Sequence, residues 1–255
     1  MFNLKTKKFH LKFYFNVFLL IFIYINTFKK DNINMKKKSL VIGGSSGFGK
    51  YLVDYLRKKN HVVHFTGTKS QKKLNYLKFN IFNKKDQNNL FKYIQFISNI
   101  DHIFYTVGDS DLSEEKIANA QILKKMLFIN LEFPLKLIKN LQKKLKNTQI
   151  KLIFFGSDSV FNLKAKPSVI ISKAAQIYLV KSHKYYLDKT NLQICCLILS
   201  PLLFKGSFWS KIKKINKIKF NNKKKLNIFK HPKNYFKKIN LILKTKNING
   251  RIFKI

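Results

Sequence analysis

A chain of 255 residues with 45% hydrophobic and 15% aromatic residues holds enough apolar material for one large core, which excludes disorder over most of its length. Its formal charge is +41, yet only Arg57 and Arg251 among the 52 basic residues are arginine. Lysine lacks the planar fork that reads bases and clamps phosphates, so the charge reads as solvated helix and loop faces with no specific nucleic-acid partner.

Residues 1–34 differ in character from the rest of the chain. MFNLKTKKFHLK is basic, and the sixteen residues FYFNVFLLIFIYINTF (13–28) are apolar apart from Asn16, Asn26 and Thr27, short of the ~20 that span a bilayer. That stretch offers no small-residue cleavage site. The expected working chain begins at Met35, with residues 1–34 as an upstream extension. A membrane anchor through residues 13–28 is the alternative to a cytoplasmic location.

From Lys36 the pattern is regular. KKKSLVIGG is an apolar run closing on glycine, a buried strand feeding a tight turn. YLVDYLRKK carries helical apolar spacing. HVVHFTGT (61–68) and NYLKFNIF (75–82) read as strands, and KKDQNNLFKYIQFI as the helix after them. DHIFYTVGDS is a strand closing on Gly108. One long helix is expected from about Ser113 through FINLEFPLKLIKNLQKKL. KLIFFGSDS, ISKAAQIYLVKSHKYYL and LQICCLILSP then read as strand, helix and strand. Such alternation calls for a doubly wound parallel sheet with helices on both faces, a Rossmann-like three-layer α/β/α fold, in one domain over residues 35–255. Cys195 and Cys196 are neighbours on a strand and point to opposite faces, so they are expected as buried free thiols. No second cysteine cluster accompanies them and the six histidines are scattered, so no metal site is expected.

Between the first strand and helix lies GGSSGFG (43–49), with Gly43, Gly47 and Gly49 in a Gly-x-x-x-Gly-x-Gly spacing. Gly44, Ser45, Ser46 and Phe48 fill the places between. Glycine suits a backbone that turns sharply and comes close to a pyrophosphate, which then sits against free N–H groups at the helix start. The position of the triplet, after a strand and opening a βαβ unit, makes it a dinucleotide-binding signal.

With these residues the chain from Met35 resembles the short-chain dehydrogenase/reductases, in their shorter single-domain branch. The resemblance implies a nicotinamide cofactor and hydride transfer to or from a carbonyl or alcohol carbon. It places Asn80 near the adenine, Gly108 at the end of the fourth strand, Asn130 in the long helix as holder of a relay water, and Pro201 after the sixth strand. Ser157 matches the catalytic serine, with Ser159 second. Lys173 matches the lysine of Tyr-x-x-x-Lys, but Val169 stands where the tyrosine belongs. No tyrosine lies between Lys124 and Tyr178, so a shift of register does not recover one. In the family that tyrosine exchanges a proton with the substrate oxygen, and a positioned acid is worth ~10²–10⁴ in rate. The expectation is therefore an oxidoreductase with an atypical proton donor, or a relative that binds nucleotide without turnover.

FTGTKS, at the end of the second strand, offers no acid for the ribose hydroxyls and places Lys69 there, which favours NADP(H) over NAD(H). LLFKGSFWSKIKK is expected to cover the site, with Phe204, Phe208 and Trp209 as candidates for a pocket that takes a small substrate. Pairing of copies through the long helices, giving a homo-oligomer, is implied by the resemblance.

Overall fold

Strand β1 (Lys38–Ile42) is buried from Ser39 onward and sends alternate side chains to opposite faces. Leu40 and Ile42 enter one core, and Val41 enters the other. The computed structural model describes residues 36–109, 117–144, 149–163, 165–186, 191–202 and 230–254. The N-terminal segment 1–34 and the expected lid with Phe204, Phe208 and Trp209 lie outside the described residues. Lys37–Ile255 forms one compact unit.

The elements after β1 are α1 (Gly47–Lys58), β2 (Val62–Gly67), β3 (Tyr76–Lys78), α2 (Lys84–Phe96) and β4 (His102–Tyr105). Next come α3 (Ala120–Leu127), a π-turn (Phe128–Glu132), α4 (Phe133–Lys144), β5 (Ile150–Ser157) and the single turn α5 (Ser159–Asn162). The long helix α6 (Pro167–Tyr186) precedes β6 (Leu192–Leu199). A 3₁₀ turn (Pro232–Tyr235), α7 (Phe236–Lys244) and β7 (Arg251–Phe253) complete the set. Among the described residues the strands form one parallel sheet in the order β3-β2-β1-β4-β5-β6-β7. Leu52, Val53, Leu56, Ile239 and Ile242 of α1 and α7 cover one face. Leu90, Ile94, Leu137, Leu141, Ile177 and Val180 of α2, α4 and α6 cover the other. This is the doubly wound α/β fold expected of the alternating sequence.

The local chemistry explains the element ends. After α1, Asn60 takes a left-handed φ of 62° and His61 N–H donates to Leu56 O, a helix stop that asparagine tolerates. Asn83 Oδ1 accepts from Asp86 N and starts α2. Proline at the first position of α6 needs no helical partner for its nitrogen. Cys195 and Cys196 are buried free thiols in opposite cores, as their adjacency on β6 requires.

Three expectations change. The long helix does not run unbroken through residues 117–119: it starts at Ala120, where Asn119 Oδ1 accepts from Gln121 N and Ile122 N, and a π-turn divides it. Residues 110–116 lie outside the described set. The strand expected over 75–82 is three residues long, because Asn80 and Asn83 turn the chain into α2. Helix α7 was not foreseen at all.

Candidate functional site

The strand order reverses between β1 and β4, and in open α/β sheets ligands bind at such a switch point, beyond the carboxyl ends of the strands. Here the two strand ends are tied together: Thr106 N and Thr106 Oγ1 both donate to Ile42 O, at 2.9 and 2.8 Å. Gly43 comes next with φ +90°, and a Cβ on it would press within 3.0 Å of Thr106 Oγ1. A Cβ on Gly49 would overlap the Gly43 carbonyl and lie 2.6 Å from Thr106 Oγ1. Gly49 thus lets α1 settle on the β1 turn. Gly47 differs: its φ is +56° and a Cβ there would meet nothing within 4 Å. The Ser46 side chain makes no cap bond, and no acid stands in the first turn of α1. The helix-start N–H groups are left to an anion, and the three glycines fit a dinucleotide's pyrophosphate.

Phe48 packs edge-on to Phe155 of β5 at 5.0 Å and to Tyr235 at 6.3 Å between centroids. The buried Tyr235 hydroxyl accepts from Ser200 N at 2.7 Å, next to Pro201, whose carbonyl accepts from Lys230 N at 2.9 Å. Tyr235 thus joins the glycine turn to the end of β6, a role that the sequence alone did not suggest. At the end of β2, Ser45 occupies the space where a Gly67 side chain would project. Tyr76 hydroxyl meets the carbonyls of Gly67 (2.9 Å) and Lys69, which clips the exposed Lys69 loop to β3. Asn80 is exposed and committed locally: Oδ1 accepts from Phe82 N at 3.1 Å, and its N–H donates to Asp86. Gly108 is exposed beyond β4.

The residues matched to catalysis meet across β5, the π-turn and α6. Asn130, 2% exposed, donates from Nδ2 to Ser172 Oγ at 3.0 Å, and Ser172 Oγ donates to the Val169 carbonyl at 3.2 Å. Asn130 Oδ1 is buried with no partner among the described residues. The π-turn that carries Asn130 is held by Tyr105, whose wholly buried hydroxyl donates to Ile129 O at 2.7 Å. Ser157 and Ser159 share a hydrogen bond of 2.7 Å between hydroxyls. Lys173 Nζ donates to Phe155 O at 2.8 Å and to Gln176 Oε1 at 3.2 Å. Burial lowers the Lys173 ammonium to a pKa of about 8, which the Cys196 thiol beside it partly opposes. Burial pushes Cys196 itself up to about 12. The structure thus brings Asn130, Ser172, Lys173 and Gln176 together around Val169, with the Ser157–Ser159 pair at the end of the same strand as Phe155. Gln176 and Tyr105 were not singled out by sequence, where each is one polar residue in an otherwise apolar run.

This geometry defines a Rossmann-type dinucleotide fold with a lysine-centred site. Residues 39–202 match the model of the NAD dependent epimerase/dehydratase family, and the chain belongs to that family. Among solved structures, a short chain dehydrogenase family protein from Francisella tularensis subsp. tularensis SCHU S4 is similar at 24% identity, with TM-score 0.71, over 87% of this chain and 97% of that one. A short chain dehydrogenase from Leptospira borgpetersenii serovar Hardjo-bovis with bound NAD+ shares 16% identity at TM-score 0.69, over 87% and 91%. FolM alternative dihydrofolate reductase 1 from Brucella canis, complexed with NADP, shares 14% at 0.64, over 86% and 91%. The fold is therefore that of the short-chain dehydrogenase/reductases, as the glycine turn implied. No curated protein matches the sequence.

Proposed function

We propose that the protein is an NADP(H)-preferring oxidoreductase that moves a hydride between the nicotinamide and a carbon of a small carbonyl or alcohol substrate. The observation that carries this is the turn at Gly43–Gly49: three glycines (Gly43, Gly44 and Gly49) that packing requires, and a fourth, Gly47, that leaves its backbone open beside a helix start. When bound, the nicotinamide supplies the hydride. Gly47, Phe48 and Gly49 would offer backbone N–H groups to the pyrophosphate, and the exposed Lys69 would supply a cation for the ribose phosphate. A side chain at position 67 would collide with Ser45, and no acid for free ribose hydroxyls follows it in FTGTKS. Ser157 steadies the substrate oxygen, and Lys173, with no phenol at position 169, is the titratable group left to exchange its proton. Residues 35–255 act as one domain, in the cytoplasm. The exposed Ile171, Tyr178 and Tyr185 lie seven apart along α6 and support pairing of two copies there.

A fluorescence titration of the full chain with NADPH and NADH at physiological salt tests the reading. Saturable binding, tighter for NADPH and lost in Gly47→Trp, is the expected result. Equal retention by that variant would mean lysine-driven sticking and end the proposal. The absent tyrosine favours one second reading, a nucleotide-binding protein without turnover, for which NADPH binds and no substrate oxidises it.

A further inference from the structure

Gln176 is wholly buried, one helical turn beyond Ser172 on α6, and its Oε1 accepts from Lys173 three residues earlier. Its Nε2 is buried and finds no acceptor among the described residues. An unpaired buried amide donor is destabilising, a cost that leucine or methionine at the same place would avoid. The other half of the side chain must therefore offset a cost that packing alone would not impose. Lys173 shows what that half does. Nζ has two acceptors, the Phe155 carbonyl and Gln176 Oε1, both neutral. Among the described residues, Cys196 of β6 is the one titratable group that acts on it electrostatically, and no carboxylate does.

We propose that Gln176 is a positioning residue for Lys173: its amide oxygen, with the Phe155 carbonyl, takes the ammonium that a phenol at position 169 would otherwise share, and holds it against the end of β5. The consequence for catalysis rests on the oxidoreductase reading; the positioning itself does not. The phenol would approach from four residues before the lysine, whereas Gln176 approaches from three residues after it. A neutral acceptor favours the charged amine over the uncharged one, and a carboxylate favours it more. Burial opposes both, which is why the ammonium sits near a pKa of about 8.

Competitive acetylation of the full chain across pH 6–11, resolved for each lysine by mass spectrometry and done without cofactor, tests this. Wild type is expected to label at Lys173 with a midpoint near 8. Gln176→Met is expected to move that midpoint down, with roughly threefold or more uncharged amine at pH 7. Gln176→Glu should move it up. Thermal melts separate these shifts from unfolding, and the Glu variant keeps the test alive should the Met variant fail to fold. One common Lys173 midpoint in folded wild type and folded Glu variant would overturn the proposal. Because no cofactor is present, failure of NADPH to bind leaves this result standing.

Discussion

Gly49 and Gly47 lie two residues apart and fail in different ways. Adding a methyl group at Gly49 drives it into the Gly43 carbonyl and Thr106, both anchored at the β1–β4 junction. Gly49→Ala is expected to lose about 1–3 kcal/mol of stability, read as a lower urea midpoint, and cofactor binding with it. Gly47→Trp meets open space and strains only its own φ, so it should stay folded within about 1–2 kcal/mol while losing NADPH. Val169→Tyr returns a phenol to the site, and hydride transfer should rise by roughly tenfold or more. That gain should be larger when Gln176→Met is added, because the lysine is then released from its other partner. An additive pair would count against any link between the two positions.

At the level of elements, the least obvious support is Lys151, a strand lysine that caps a helix. Its Nζ donates to Leu243 O and Thr245 O, both at 2.7 Å, at the carboxyl end of α7. A cation at that end satisfies orphaned carbonyls and complements the helix dipole. Lys151→Met keeps the apolar stem and is expected to cost about 1–3 kcal/mol, with amide exchange quickened first in α7. The same helix marks how far the sequence could be read. Alternating apolar runs announce β1, α1, β2, β5, α6 and β6, because each must bury a face and its period shows which kind. Helix α7 hides in a lysine-rich stretch, and the start signal, His231 Nδ1 accepting from Lys233 N beside Pro232, belongs to the 3₁₀ turn before it. The site divides in the same way. Its glycines are legible because their chemistry is local. Asn130 and Lys173 were legible only through the family resemblance, and Gln176 not at all, because nothing in the sequence says that this glutamine is buried. On α6, Tyr178→Glu is expected to shift light scattering in size-exclusion chromatography from an oligomer to a single chain.

For the whole molecule, the amino ends of the strands hold a buried polar group of opposite character to the site. His61 Nδ1 pairs with Ser39 Oγ at 2.8 Å, and its ring lies 5.6 Å from that of His102. Burial, opposed in part by Asp101, lowers both imidazoles, and His102 falls to about 3. The unfolded chain takes protons near 6.5 that the folded one refuses. The stability these two imidazoles contribute is therefore full above pH 6.5 and erodes as pH falls from there toward about 3, at up to about 1.4 kcal/mol per pH unit for His102. Urea midpoints measured from pH 6.5 to 4 should drop, and His102→Gln should flatten the drop.

The π-turn at Phe128–Glu132 makes residue count in the long helix an angular quantity. Each residue advances an α-helix by about 100°, and a π-turn holds one more residue than the ordinary step. Deleting one residue within α4 would swing what precedes it by that angle about the helix axis, and the buried Met126 and Phe133 would leave their places. Deleting the surplus residue of the π-turn would instead restore the ordinary step, with Met126, Phe133 and Leu137 still facing the core. A change of length that elsewhere in the helix becomes a change of direction is, at this one turn, absorbed.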